Sequence, residues 1–158
     1  MAHEYLAVGA QAPDVKVKNN AGEEVSLADL KGKKVVVFFY PKANSPSCTK
    51  EAVSLKDHHK ALQDLGYEVI GVSPDKEKSL TNFINKHELP YTLWSDPENE
   101  LTEAFGAWGE KSMYGKTYMG LLRSTFLIDE EGKVSHVIEK VKTKEHAQQI
   151  LAMLAEAV

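Results

Sequence analysis

The 158-residue sequence has little cysteine, no surplus of basic charge and no long apolar run. Its single cysteine excludes a disulfide within the chain and favours a reducing compartment, most simply the cytoplasm. A formal net charge of −4 leaves no basic surface for nucleic acid. No apolar run approaches the roughly 20 residues that span a bilayer, so no membrane partner is expected. The first residues lack the basic and apolar regions of a secretory signal.

The composition is that of a globular protein with an ordinary core. Hydrophobic residues make up 42% of the chain and charged residues 27%, so the chain has enough apolar side chains to bury. At this length one core is expected, and no linker, repeat or low-complexity tract divides the sequence. We therefore predict one domain over residues 1–158.

Segments of strand and helix character alternate along the chain. The run 35–40 is apolar at every position, which is typical of a strand buried on both faces. Two hairpins are predicted, at 15–27 and at 124–141. The other predicted elements are strands at 67–73 and 91–94 and helices at 46–65, 74–88, 98–105 and 143–154. This order predicts an α/β fold, a three-layer α/β/α sandwich with a mixed central sheet and an N-terminal β-hairpin.

Two finer expectations concern less regular parts of the chain. Residues 107–122 lack periodicity and contain three glycines, so we expect a partly ordered surface loop. Thr143 is predicted to N-cap the last helix, because a threonine oxygen there accepts hydrogen bonds from the first turn.

The single cysteine lies where the strand 35–40 gives way, after a short polar loop, to a helix beginning near Pro46. A thiol reacts as the thiolate, which the positive end of a helix dipole and a nearby guanidinium both stabilise. Ser45 offers a hydroxyl that can donate to the thiolate or to a substrate oxygen. Most free cysteines are instead small buried apolar groups, but the polar flanks of Cys48 favour a reactive site.

The motif Pro41-x-x-x-Ser45-x-x-Cys48 resembles the P-x-x-x-[TS]-x-x-C signature of peroxiredoxins. Further segments resemble the bacterioferritin-comigratory branch, also called peroxiredoxin Q: 39–42, 48–52, 71–73, 89–91, 95–96, 108–111, 114–116 and 123–129. The resemblance covers nearly the whole chain, from about residue 8 to residue 155. It implies a thioredoxin-like fold and a thiol-dependent peroxidase that reduces hydrogen peroxide and organic hydroperoxides in antioxidant defence.

The resemblance also implies roles for particular residues. Cys48 is then the peroxidatic cysteine, which attacks the peroxide and becomes a sulfenic acid without a metal or organic cofactor. Arg123 matches the active-site arginine, Ser45 the hydroxyl donor and Pro41 the residue that shields the pocket from water. Glu51, one turn after Cys48, is expected to orient Arg123 in a bidentate ion pair, with a solvated helix face as the alternative.

The sequence departs from the branch at its second cysteine. Many members carry a resolving cysteine five residues after the first, where this chain has Val53, and others carry one near Phe83 and Ile84. Either an external thiol (thioredoxin, glutaredoxin or glutathione) completes a one-cysteine cycle, or the chain is a variant whose second cysteine has been replaced. A monomer or a weak homodimer is expected.

Two other classes of function are compatible with a thioredoxin-like fold. One is a redox carrier or sensor. Thioredoxin-like reductants use a C-x-x-C pair, but here the corresponding window is Ser45-Pro46-Ser47-Cys48, and one cysteine cannot complete a dithiol cycle. A non-enzymatic binding module is also possible, because a fold does not determine function, and it predicts an unreactive Cys48.

Overall fold

The structure is a computed structural model that describes residues 4–156. Its strands are β1 (Val17–Asn19), β2 (Glu24–Val25), β3 (Lys34–Phe39), β4 (Tyr67–Ser73), β5 (Thr92–Ser95), β6 (Trp108–Met113), β7 (Lys116–Leu121), β8 (Ser124–Ile128) and β9 (Val134–Ile138). Its helices are α1 (Pro46–Asp57), α2 (His59–Asp64), α3 (Glu77–His87), α4 (Glu100–Ala104) and α5 (His146–Glu156), with 3₁₀ turns at Leu27–Leu30 and Thr143–Glu145. Within the described residues, no helix is long and apolar enough to cross a bilayer.

Seven strands form one mixed sheet in the order β2-β1-β5-β4-β3-β8-β9. The three central strands β3, β4 and β5 are parallel, and β8 runs antiparallel to β3 with β9 beside it. β1 and β2 form the predicted N-terminal hairpin, which joins the sheet at β5. The predicted mixed sheet is confirmed.

Strand β3 runs through the middle of the sheet and divides the hydrophobic core in two. Val36 and Phe38 belong to one cluster, with residues of α1, α2, α3 and α5, whereas Val37 and Phe39 belong to a second cluster on the other face. All four side chains are fully buried. Because successive side chains of a strand point to opposite faces, β3 contributes to the core on both sides of the sheet. The second face is covered by the short α4, the first 3₁₀ turn and the N-terminal segment. The three layers are therefore present, with one outer layer much thinner than the other.

The expectation of a loop at 107–122 is wrong, because β6 and β7 form a second, two-stranded sheet. Tyr114 and Gly115 connect the two strands, and both have positive φ angles (53° and 78°), as the tight turns of hairpins require. Most side chains of β7 are exposed. The sequence therefore lacks the alternation of apolar and polar residues by which a half-buried strand is predicted.

The helix predicted over 46–65 is interrupted at His58, which separates α1 from α2. The His58 backbone N–H donates to Lys56 O instead of continuing the helix, and a ring nitrogen of His58 lies 3.2 Å from Ser54 O. The side chain thus takes the carbonyl that an unbroken helix would pair with the backbone. The predicted cap at Thr143 is also wrong, because Thr143 lies inside a 3₁₀ turn that precedes α5.

Gly71 in β4 is a position where the core has no room for a side chain. An added Cβ would lie 2.6 Å from Cζ of Phe38 and 2.7 Å from Cδ2 of Leu93, both fully buried. We predict that Gly71→Ala lowers the free energy of unfolding by about 1–3 kcal/mol, measured by urea denaturation. Phe38→Leu removes the nearer ring. The double variant should therefore lose less free energy of unfolding than the two single variants lose in sum. Strictly additive losses would contradict this.

Candidate active site

Cys48 is the third residue of α1, directly beyond the carboxyl end of β3. The helix starts with Pro46 at its first position, where a missing N–H costs nothing, and the preceding Ser45 has extended backbone angles (φ −71°, ψ 152°). Thr49 N donates to Ser45 O (2.9 Å), so the first turn is closed around the sulfur. Cys48 lies at the positive end of a 12-residue helix, and only 1% of its surface is exposed.

The loop between β3 and α1 is held by Asp75, a residue that the sequence did not single out. Its Oδ2 accepts from Ala43 N (2.7 Å) and from Ser73 Oγ (2.8 Å). Ser95 Oγ donates to the Asp75 carbonyl oxygen (2.6 Å). A usable signal was its position, because Asp75 follows the carboxyl end of the neighbouring parallel strand, where α/β sheets place their sites.

Arg123 reaches Cys48 through the register of β8 on β3. Ser124 pairs with Phe39, the last residue of β3, which leaves the preceding Arg123 beside the start of the Cys48 loop. Its Nη2 donates to Cys48 Sγ (3.3 Å) and its Nη1 donates to Glu51 Oε1 (2.6 Å). The ion pair is therefore not bidentate: one guanidinium is divided between a carboxylate and a sulfur.

Glu51 is not on a solvated helix face, because its side chain is fully buried while that of Arg123 is 20% exposed. Burial raises the pKa of Glu51 to about 7, although the Arg123 charge and hydrogen bond oppose this rise. Burial by itself would lower the pKa of Arg123, but Glu51 and Cys48 more than offset it and hold the pKa above its ordinary value. The guanidinium thus keeps its charge at every relevant pH.

A buried histidine stands behind this pair, and no sequence motif pointed to it. His146, the first residue of α5, is fully buried with Nε2 3.7 Å from Glu51 Oε2 and 2.7 Å from Thr125 Oγ1. Burial, with the nearby Arg123 charge, lowers the pKa of His146 to about 4. A histidine opening a helix is common in sequences, so only the packing of α5 on α1 reveals it.

The two remaining predicted residues flank the loop. Ser45 Oγ donates to Lys42 O (2.9 Å), so in this structure its proton is directed away from the sulfur. Pro41 is half-buried and follows the fully buried Tyr40. Val53, at the position where the resemblance led us to expect a second cysteine, is half-buried on α1.

The β6–β7 hairpin brings one more cation towards the site. Burial lowers the pKa of the half-buried Lys111, and the Arg123 charge lowers it further, whereas Cys48 raises it. Lys111 therefore lies within the electrostatic influence of both site residues. The sequence missed Lys111 because it fell in the segment predicted to be a loop.

A buried sulfur at a helix N-terminus, contacted by a guanidinium at the end of a mixed thioredoxin-like sheet, is the arrangement of a thiol-based oxidoreductase. The profile of the AhpC/TSA family matches residues 8–137, and the chain belongs to that family. The chain is 44% identical over 151 residues to peroxiredoxin Bcp of Bacillus subtilis, an alignment that covers 96% of both chains. It is also 44% identical to peroxiredoxin Bcp of Escherichia coli, covering 96% of this chain and 97% of the relative.

A solved structure of the Xanthomonas campestris bacterioferritin comigratory protein is similar throughout. It has a TM-score of 0.86 and 35% identity, and the match covers 96% of this chain and 97% of that one. The resemblance to the Bcp or peroxiredoxin Q branch and the thioredoxin-like fold are thereby confirmed. The protein is a peroxiredoxin, a thiol-dependent peroxidase.

The raised pKa of Glu51 predicts a pH dependence of stability. The folded protein binds this proton more tightly than the unfolded chain, so the stabilisation is complete below about pH 4.5 and is lost as pH rises through about 7. The difference between 4.5 and about 7 corresponds to about 3 kcal/mol. We predict that the free energy of unfolding of the wild type, relative to Glu51→Gln, falls by that order between these pH values.

Urea denaturation of both proteins across this range measures the difference. His146 and Arg123 are present in both proteins, so their own contributions cancel to first order. If the free energy of unfolding of the wild type minus that of Glu51→Gln stays constant or rises with pH, Glu51 is ionised in the folded protein over the whole range.

Proposed function

We propose that Cys48 is the residue that attacks the peroxide and that Arg123 is its electrostatic partner. The observation that carries this proposal is the 3.3 Å contact from Arg123 Nη2 to Cys48 Sγ. A guanidinium beside a sulfur, in a site almost closed to water, stabilises negative charge as it develops in the reaction. A non-enzymatic module has no need of this arrangement.

In the reaction, the Cys48 thiolate attacks one oxygen of the peroxide in line with the O–O bond. The S–O bond forms as the O–O bond breaks, and the departing oxygen keeps the electron pair. That oxygen takes up a proton and leaves as water or an alcohol, so the sulfur is oxidised to a sulfenic acid and the peroxide is reduced. The charge that grows on the leaving oxygen must be stabilised in the transition state.

The residues around Cys48 supply this stabilisation in different ways. Arg123 Nη2 already points at the sulfur, and the N–H groups of the first turn of α1 have no partners within the helix. Ser45 donates to the substrate oxygen after its hydroxyl turns from Lys42 O. Pro41 limits the access of water, and Glu51 fixes the orientation of Arg123 from behind.

We propose hydrogen peroxide and organic hydroperoxides as substrates. The Xanthomonas campestris relative is described by its alkyl peroxide reduction activity and by structures of a trapped intermediate and ligand complex. Its similarity over 96% of this chain supports the same substrate class here.

We propose that an external thiol completes the cycle, because the chain has one cysteine and Val53 cannot form a disulfide. A thiol of thioredoxin, glutaredoxin or glutathione would attack the sulfenic sulfur, forming a mixed disulfide and releasing the oxygen as water, and a second thiol would then reduce that disulfide and free Cys48. Since only 1% of Cys48 is exposed, the first turn of α1 must open before a protein thiol reaches it. A reducing cytoplasm would supply these thiols, and the enzyme would act as a monomer or a weak homodimer.

Kinetics of Cys48 oxidation test the proposed roles. We expect Cys48→Ser to abolish oxidation and Arg123→Ala to slow it by about 10²–10³-fold, the typical effect of losing one charge-stabilising donor. Ser45→Ala should lose about tenfold, as for one neutral hydrogen bond. Stopped-flow mixing of the reduced protein with hydrogen peroxide measures these rates.

Lys116→Ala is the matched control for the loss of a positive charge, because Lys116 is exposed at the hairpin turn. Its rate should stay close to that of the wild type. If Arg123→Ala reacts as fast as this control, the electrostatic role of Arg123 is wrong.

The lack of a second cysteine predicts overoxidation. With excess peroxide and no reductant, mass spectrometry should find Cys48 carrying two added oxygens, a sulfinic acid. A Val53→Cys variant should instead lose two hydrogens by forming a disulfide and resist this fate. If excess peroxide leaves the mass of the wild type unchanged, no exposed sulfenic acid forms.

A further inference from the structure

Behind Arg123 lies a buried polar cluster in which Glu51 has a proposed role in the peroxidase mechanism and His146 has none. Glu51 accepts from Arg123 through Oε1, but its Oε2 has no hydrogen-bond partner among the described residues. That oxygen faces His146 Nε2 at 3.7 Å, and both side chains are fully buried. An unsatisfied carboxylate oxygen in such a site is costly, and the cost falls if the oxygen is protonated and donates a hydrogen bond to a neighbour.

The hydrogen bonds of Gln149 determine which tautomer His146 adopts. The Gln149 Nε2 donates to Lys140 O (2.7 Å) and its Oε1 accepts from Lys142 N (3.1 Å), which fixes the orientation of the amide. The Oε1 also lies 3.0 Å from His146 Nδ1. Since Oε1 can only accept, Nδ1 carries the hydrogen. In a neutral imidazole, Nε2 is then an acceptor with one lone pair. Thr125 Oγ1 lies 2.7 Å from it and donates to it in this structure, and a protonated Glu51 Oε2, now 3.7 Å away, would have to move closer and take the place of that hydroxyl.

The charges around Glu51 favour this distribution of the proton. Arg123, from the segment before β8, contacts Glu51 directly, and His146 of α5 lies 3.7 Å away. The charge of Glu51 also acts on Tyr40 at the end of β3 and on Tyr91 before β5, and Cys48 of its own helix shares Arg123 with it.

Burial raises the pKa values of Tyr40 and Tyr91, so both phenols stay neutral. The pKa values of about 4 for His146 and about 7 for Glu51 leave the carboxyl as the group that takes up a proton near neutral pH.

We propose that His146 is a positioning residue of the active site: its neutral Nε2 accepts a hydrogen bond from protonated Glu51 Oε2 and so lets the carboxyl change from an ionic to a neutral partner of Arg123. This inference rests on the proposed roles of Cys48 and Arg123. When Glu51 is ionised, it shares the guanidinium charge with the sulfur. When Glu51 is protonated, Oε1 still accepts from Nη1, but the full charge acts on Cys48. The rate at which Cys48 attacks peroxide should therefore fall less steeply as the pH is lowered.

Two variants separate the roles of the imidazole nitrogens. In His146→Asn, the side-chain amide replaces Nδ1 and keeps the contact with Gln149. In His146→Gln, the longer side chain brings a carbonyl oxygen to the position that Nε2 occupies in the wild type. The rate of Cys48 oxidation by hydrogen peroxide is measured at about pH 5.5 and about pH 8 for each. The rate of the wild type falls by some factor between about pH 8 and about pH 5.5. We expect this factor to be about tenfold larger for His146→Asn, as for one lost hydrogen bond. His146→Gln should recover most of that loss.

Further variants guard against a general effect of removing a histidine or a charge. His136→Asn, on β9 and outside the cluster, should keep the wild-type ratio between the two pH values. In Glu51→Gln the side chain is permanently neutral, so the pH profile of its oxidation rate should lack the inflection that titration of the carboxyl causes. A purely structural role for His146 would lower the stability of both of its variants while leaving the pH ratio unchanged, and that result would overturn the proposal.

A measurement on the unaltered protein keeps the proposal testable if the variants fold poorly. Nitrogen chemical shifts of the His146 ring should show a neutral ring with hydrogen on Nδ1 from about pH 5.5 to about pH 8. An imidazolium at about pH 6 would contradict it. If the wild type itself fails to oxidise rapidly at about pH 8, the proposed peroxidase roles fail; if it oxidises rapidly but His146→Asn follows the same pH profile, only this inference fails.

Discussion

One cation shared by two acidic groups of a single helix holds the site together. Cys48 and Glu51 are three residues apart on α1 and therefore lie on the same face, where Arg123 contacts both. Arg123 is the only arginine in the sequence, as Cys48 is the only cysteine. Their contact depends on the pairing of β8 with β3, because a slip of one residue would turn Arg123 to the opposite face of the sheet.

The burial of this group explains both its strength and its cost. Inside the core, a charge interaction is far stronger than in water, but each charge has also lost its hydration. The loss of hydration raises the pKa of Glu51. The stronger charge interaction keeps the pKa of Arg123 above its ordinary value, although burial by itself would lower it. The hydrophobic clusters on either side of β3 are thus part of the chemistry, since they exclude the water that would screen these charges.

The elements that sequence patterns predicted well are those buried in the core. The run 35–40 is apolar because both faces of β3 are covered, and the helices show stripes where they pack against the sheet. The β6–β7 hairpin escaped prediction because most of β7 is exposed. The break at His58 escaped because it depends on a ring nitrogen competing for one carbonyl, which periodicity does not record.

The sequence alone determined the fold class and the family, because strand and helix patterns and a short motif are local. Through the family resemblance it also predicted roles for Cys48, Arg123, Ser45, Pro41 and Glu51. Only the tertiary structure decided how those residues meet. It divided Arg123 between two partners, turned Ser45 towards Lys42 and placed His146 behind Glu51. These contacts join residues up to about a hundred positions apart, and they follow from strand register and helix packing, which no local pattern specifies.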